Sequence, residues 1–264
     1  MIDLLQYEFV KNALLAGTII SILFGFLSFF VVMKRLSFLT VGISHAAFGG
    51  VALGILLGTN PYTTAIFFCI VVGYLISLYG EKSEYDTVIG ILFAFTMALG
   101  VIFISLKQDY TFDIMSYLFG SILGITKTDI VALGVLMSVI IILFYLFFKE
   151  ILFITFDKTV AKASGLPVEL FENTIVLILS LVIVFSIKLI GIILVSAFLI
   201  IPSAITMLFF DNYKKVIFWA IVLNLLIFFA GFYLSYKLDL PTGATIVSLG
   251  AIVYFVSAFF KKAD

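Results

Sequence analysis

Apolar stretches of about 20 residues, separated by short polar or glycine- and proline-containing breaks, follow one another along the whole chain. A helix rises 1.5 Å per residue, so about 20 apolar residues cross the hydrocarbon layer of a bilayer. On that length the pattern predicts nine spanning helices, at residues 9–33, 41–58, 61–79, 86–106, 129–149, 170–187, 189–209, 213–236 and 241–260. The stretch 174–210 is a run of 37 residues broken at Ser186, Lys188 and Gly191. As one helix it would be roughly 55 Å long, so two spans, or a span and a half-helix, are expected there, divided at Lys188. The longest connections are Lys107–Thr128 and Lys149–Glu169. The first holds an apolar segment, 117–124, too short to span and expected as a re-entrant or interfacial half-helix.

Composition turns this pattern into a class. Of 264 residues 64% are hydrophobic and only 11% charged, with a mean hydropathy of +1.33. Soluble domains are about 45–50% apolar and about 25% charged, so this chain faces lipid. A soluble enzyme, a disordered chain and a nucleic-acid binder are excluded; the last would need a basic excess, and here 15 basic residues face 15 acidic ones. One cysteine, Cys69, and one histidine, His45, exclude a disulfide framework or a multi-histidine cage within one chain.

Charge also sets an orientation. With nine spans and the N-terminus outside, ten basic residues (Lys34, Arg35, Lys82, Lys149, Lys158, Lys162, Lys214, Lys215, Lys261, Lys262) fall inside and five (Lys11, Lys107, Lys127, Lys188, Lys237) outside. Positive charge favours the cytoplasmic side, so the C-terminus is expected in the cytoplasm of a multi-pass cell-membrane protein. The acidic start (Asp3, Glu8) shows no signal-peptide pattern, so the first span is expected to be retained.

Four features carry candidate chemistry. In the second span Gly42, Ala46, Gly50, Gly54 and Gly58 recur every four residues, a small-residue stripe that lets another helix approach closely; Gly17, Ser21 and Gly25 repeat it in the first. His45 lies beside the stripe. An ionisable group inside a membrane usually faces a cavity or pathway, and imidazole suits transition metals, although a neutral histidine bonded to a neighbouring helix is the plainer alternative. One histidine makes no site alone, so a second copy of the chain, or a carboxylate such as Asp113 or Asp239, would have to assist. The loop from Thr155 to Pro167 has Asp157 as a helix N-cap, Gly165 placed to end the helix and Pro167 to stop it, with small Ala161 and Ser164 between. It reads equally as an amphipathic connector or as a docking helix for a cytoplasmic partner. In the seventh span Pro202 removes a backbone hydrogen bond and is expected to kink the helix near Ser203; Ser196 and Pro202, with Ser44, are candidate pathway or gate residues.

Absences narrow the function. With no GxxxxGK[ST] loop the chain is not expected to hydrolyse ATP, and with one histidine it has no HExxH site. Ser44 and His45 are adjacent and about 100° apart on a helix, a poor nucleophile–base pair for an intramembrane hydrolase.

Taken in order, Ser44-His45-Ala46 following Lys34-Arg35, the Asp157-x3-Ala161-x3-Gly165-Leu166 loop, and the Leu194–Ala204 stretch with Pro202 resemble the permease subunits of bacterial ABC importers for zinc, manganese and iron. The resemblance runs over nearly the whole chain. It implies a single all-α permease domain over 1–264, similar to the vitamin B12 and siderophore (type II) permeases without their first helix. It also implies a homodimer, cytoplasmic ATPase subunits that carry the ATP, and an extracellular metal-binding protein, with no permanent cofactor and a divalent metal ion as cargo. The segment at about 155–168, with Asp157, Ala161, Gly165 and Leu166, corresponds to the coupling helix seated in the ATPase. His45 corresponds to a metal-pathway residue. Many relatives carry Asp four residues before it, where this chain has Val41. An ATP-independent metal or small-solute channel or secondary carrier is the alternative; such carriers often show inverted repeats and buried carboxylates, and here no repeat is evident and Asp and Glu are nearly absent from span centres.

Overall fold

Ten helices make up almost all of the computed structural model, which describes residues 6–80, 85–107 and 125–263. They are α1 (Glu8–Met33), α2 (Ser37–Leu57), α3 (Pro61–Gly80), α4 (Tyr85–Ser105), α5 (Lys127–Leu146), α6 (Phe148–Phe156), α7 (Lys158–Ala163), α8 (Val168–Phe209), α9 (Tyr213–Leu238) and α10 (Thr242–Ala263). Among the described residues nine segments are long and apolar enough to cross a bilayer, two of them, Val168–Ile187 and Leu189–Phe209, within α8. The nine expected spans are therefore present, with ends shifted by a few residues. The half-helix expected at 117–124, and Asp113, lie outside the described residues. Around their most apolar stretches α1 and α2 are the most enclosed, 67% and 72% buried, whereas α4, α5 and α10 bury only 17% within this chain.

The joint inside α8 sits at Gly191, three residues past the expected division at Lys188. Gly191 has φ 79° and ψ 164°, a conformation essentially reserved for glycine. Lysine is a good helix former, so charge alone does not end a helix; backbone freedom does. The helix runs through Pro202, and the departure from helical dihedrals within α8 is at Gly191. The neighbouring Ser203 hydroxyl instead donates to Ser28 of α1 at 2.6 Å, because Ser28 gives its own proton to the Gly25 carbonyl at 2.8 Å.

Contacts group the chain into two compact units, one from the described parts of Met1–Ser37, Ile114–Val139 and Ser186–Asp264, the other from those of Phe38–Asp113 and Ile140–Phe185. In the first unit α1 packs antiparallel on α9, and α9 on α10. Each step of the small-residue pattern on α1 has a counterpart on α9. Gly17 receives the Phe228 ring, the Ser21 carbonyl accepts from the Asn224 amide at 3.1 Å, and Gly25 admits the backbone of Ile221. A methyl at Gly25 would stand 2.6 Å from Ile221 Cα. Two turns beyond Asn224, Gly231 lies against Ile246 of α10.

Candidate functional site

The second unit holds the histidine. Five small residues on α2 read as one stripe, but four residues advance a helix by about 40° beyond a full turn, so the stripe winds around the cylinder. Gly42 meets Ile89 of α4, whereas Gly50 and Gly54 meet α3 at Ala65 and Pro61, where a methyl would stand 2.7 Å from each Cα. Ala46 is fully buried. Gly58 is a correction: it packs against nothing, and with φ 68° it ends α2. There the Thr59 amide bonds the Gly54 carbonyl and the Gly58 amide the Ile55 carbonyl, a Schellman closure. Lys107 also donates to the Ile55 carbonyl, at 2.6 Å, placing a cation on the negative end of the helix. Gly49, outside the four-residue count, is as closely approached as Gly50 and Gly54: a methyl there would lie 2.7 Å from the Thr96 carbonyl oxygen of α4.

Between Gly42 and Gly49 stands His45, half-buried where most of α2 is buried. Its ring meets Phe93 of α4 edge to face, with centroids 5.0 Å apart and planes at 90°. Ser44 beside it is fully buried and donates to the Thr40 carbonyl of its own helix at 2.6 Å, so neighbouring residues occupy different environments. Among the described residues no group of three or more His, Cys, Asp or Glu could hold a metal. An imidazole without such partners could offer an ion one nitrogen ligand from this chain. Asp239, weighed as an assisting carboxylate, belongs to the other unit and closes α9 with φ 54°. Ser196 and Pro202 also belong to that unit; Ser196 donates to the Ile192 carbonyl at 3.3 Å.

The loop segment is built as its sequence requires. Asp157 accepts from the Val160 amide at 2.9 Å and starts α7. At the other end the Leu166 amide bonds the Ala161 carbonyl at 3.2 Å and the Gly165 amide the Lys162 carbonyl at 3.1 Å, with Gly165 at φ 84°. This is again a Schellman closure, and Leu166 makes its accompanying apolar contact: Ala161, fully buried, packs with Ile154 and Val168, and with Leu166 and Phe171 around them. Two ion pairs, Lys158 to Glu172 and Lys162 to Glu169 at 2.9 Å, tie α7 to the first two turns of α8. Ser77 near the end of α3 bonds Asn173, so α7 lies at the end of this unit where α3 finishes. Val160 faces outward, 48% exposed.

Reasoning from sequence missed Phe93, Gly49 and Asn224. A chain with 31 phenylalanines gives no signal for one of them. Asn224 did carry one, as an amide in the middle of an apolar span.

Comparison with known proteins agrees with this architecture. The model of the ABC 3 transport family matches residues 6–261. The manganese transport system membrane protein MntC of Listeria monocytogenes is 34% identical over 97% of this chain and 92% of its own length. The high-affinity zinc uptake system membrane protein ZnuB of Haemophilus influenzae is 28% identical over 97% and 99%. Among solved structures, PsaBC from Streptococcus pneumoniae in complex with Fab aligns with a TM-score of 0.84 at 32% identity, covering 97% of this chain and 93% of that one. With nine apolar spans among its described residues and a family match over 6–261, the chain belongs to the ABC 3 transport family and is a membrane transport protein.

Proposed function

We propose that this chain is the permease subunit of an ABC importer that carries a divalent transition-metal ion (zinc, manganese or iron) into the cytoplasm by alternating access. Its relatives MntC and ZnuB are named for manganese and zinc, and borderline metals of this kind share imidazole and oxygen ligands. ATP is bound and hydrolysed by a separate cytoplasmic subunit, an extracellular protein delivers the ion, and no permanent cofactor is needed. Two copies of the chain form the permease, so that two His45 side chains contribute to one passage. The N-terminus lies outside and the C-terminus inside, as the ten-to-five distribution of basic residues supports. Differential binding of ATP by the partner supplies the free energy that exchanges outward- and inward-facing states.

The observation that carries this reading is α7: a short helix capped at both ends, braced by ion pairs and presenting Val160 outward. A helix so rigidly held transmits a push, and we read it as the segment that docks on the ATPase. Val160→Asp places a charge on that face and keeps the backbone amide that Asp157 caps. Co-purification of the ATPase subunit with wild-type permease, and its loss with Val160→Asp at normal membrane levels, is the expected result. Metal uptake that needs no ATPase subunit would favour a channel or secondary carrier instead.

A further inference from the structure

We propose that Phe93 is the positioning residue of the metal pathway, holding the His45 imidazole in its ligand-competent orientation; this rests on the reading of His45 as a metal contact. Histidines that ligate metals are usually oriented by a hydrogen bond from the second ring nitrogen to a carboxylate or carbonyl. Among the described residues neither nitrogen of His45 has a hydrogen-bond partner, and its recorded contact is the Phe93 ring at 5.0 Å and 90°. Orientation is therefore supplied by packing. The backbone register makes this packing specific. Gly42 lies against Ile89 and Gly49 against Thr96, so α4 runs alongside α2 at close approach on either side of the histidine, and Phe93 falls opposite it. Ile89 and Thr96 are buried at 1% each, which fixes the helix that carries Phe93.

An edge-to-face contact restrains the ring without a hydrogen bond to a nitrogen, so the unprotonated nitrogen of the neutral imidazole can meet an ion. A ligand held by packing alone exchanges its ion readily, as a passage requires.

The test measures zinc uptake into vesicles by the assembled complex of permease, ATPase and binding protein, for wild type, Phe93→Leu, Phe93→Tyr, His45→Ala and the double variant His45→Ala/Phe93→Leu, each matched for the amount of complex. Phe93→Leu keeps an apolar side chain but removes the ring. Removing a group that orients a metal ligand costs about 10- to 100-fold, so Phe93→Leu should lower uptake about 10-fold, Phe93→Tyr should retain most of it, and Phe93→Leu should add nothing in the His45→Ala background. An equal loss from Phe93→Leu in both backgrounds would make Phe93 a packing residue and overturn the proposal, as would wild-type uptake by Phe93→Leu. Wild-type uptake by His45→Ala would overturn the reading of His45 itself.

Discussion

The side-chain amide of Asn224 donates to the backbone carbonyl of Ser21 at 3.1 Å, in the middle of two apolar helices, one turn from glycines that bring those helices together. Asn224 and Ser21 are both fully buried. In hydrocarbon an unpaired amide is expensive, so this bond fixes the register of α1 on α9. Asn224→Ala removes the donor and leaves a void. It should destabilise the protein by about 1–3 kcal/mol, read as a lowered melting temperature in detergent.

The glycines on either side are not equivalent. At Gly25 a methyl meets the Ile221 backbone, which can yield only if α9 moves; at Gly17 it meets the Phe228 ring, a side chain that can turn. Gly25→Ala should therefore cost about 1–3 kcal/mol and exceed Gly17→Ala, by the same thermal measurement.

Gly165 isolates a backbone effect. Its φ is 84° and nothing lies within 4 Å of an added Cβ, so any loss on substitution comes from conformation and not from a clash. Gly165→Val should open the end of α7 at a cost of about 1–2 kcal/mol and reduce coupling of ATP hydrolysis to transport, whereas Gly165→Asn should be tolerated because asparagine visits this region. Membrane insertion should be normal in both.

The two ion pairs at α7 should differ in weight. Lys162 and Glu169 are 66% and 60% exposed, so water and salt screen the pair and it adds little to stability. Glu172 is only 14% exposed beneath Lys158. Lys158→Glu should impair ATPase-coupled uptake more than Lys162→Glu, and the exchange Lys158→Glu/Glu172→Lys should restore it.

Length, periodicity and punctuation made the nine spans and the caps of α7 legible, because these depend on local chemistry: apolar run length, an Asp at the N-cap, a Gly at the end. Asp157 and Gly165 act as that chemistry requires. Three features were not local. Gly58 looked like a fifth step of the packing stripe, yet it ends its helix, since spacing alone does not say where a neighbour stops. Lys188 seemed the break in α8, while the chain turns at Gly191 where φ can be positive. Phe93 is identifiable as the neighbour of His45 only once α2 and α4 are placed side by side.

The proposed transport depends on the ion passing His45. Zinc or manganese uptake and ATP hydrolysis, measured together in the assembled complex carrying His45→Ala, test it most directly. Uptake should fall about 10-fold or more while hydrolysis and assembly continue; uptake equal to wild type, at equal amounts of complex, would contradict it.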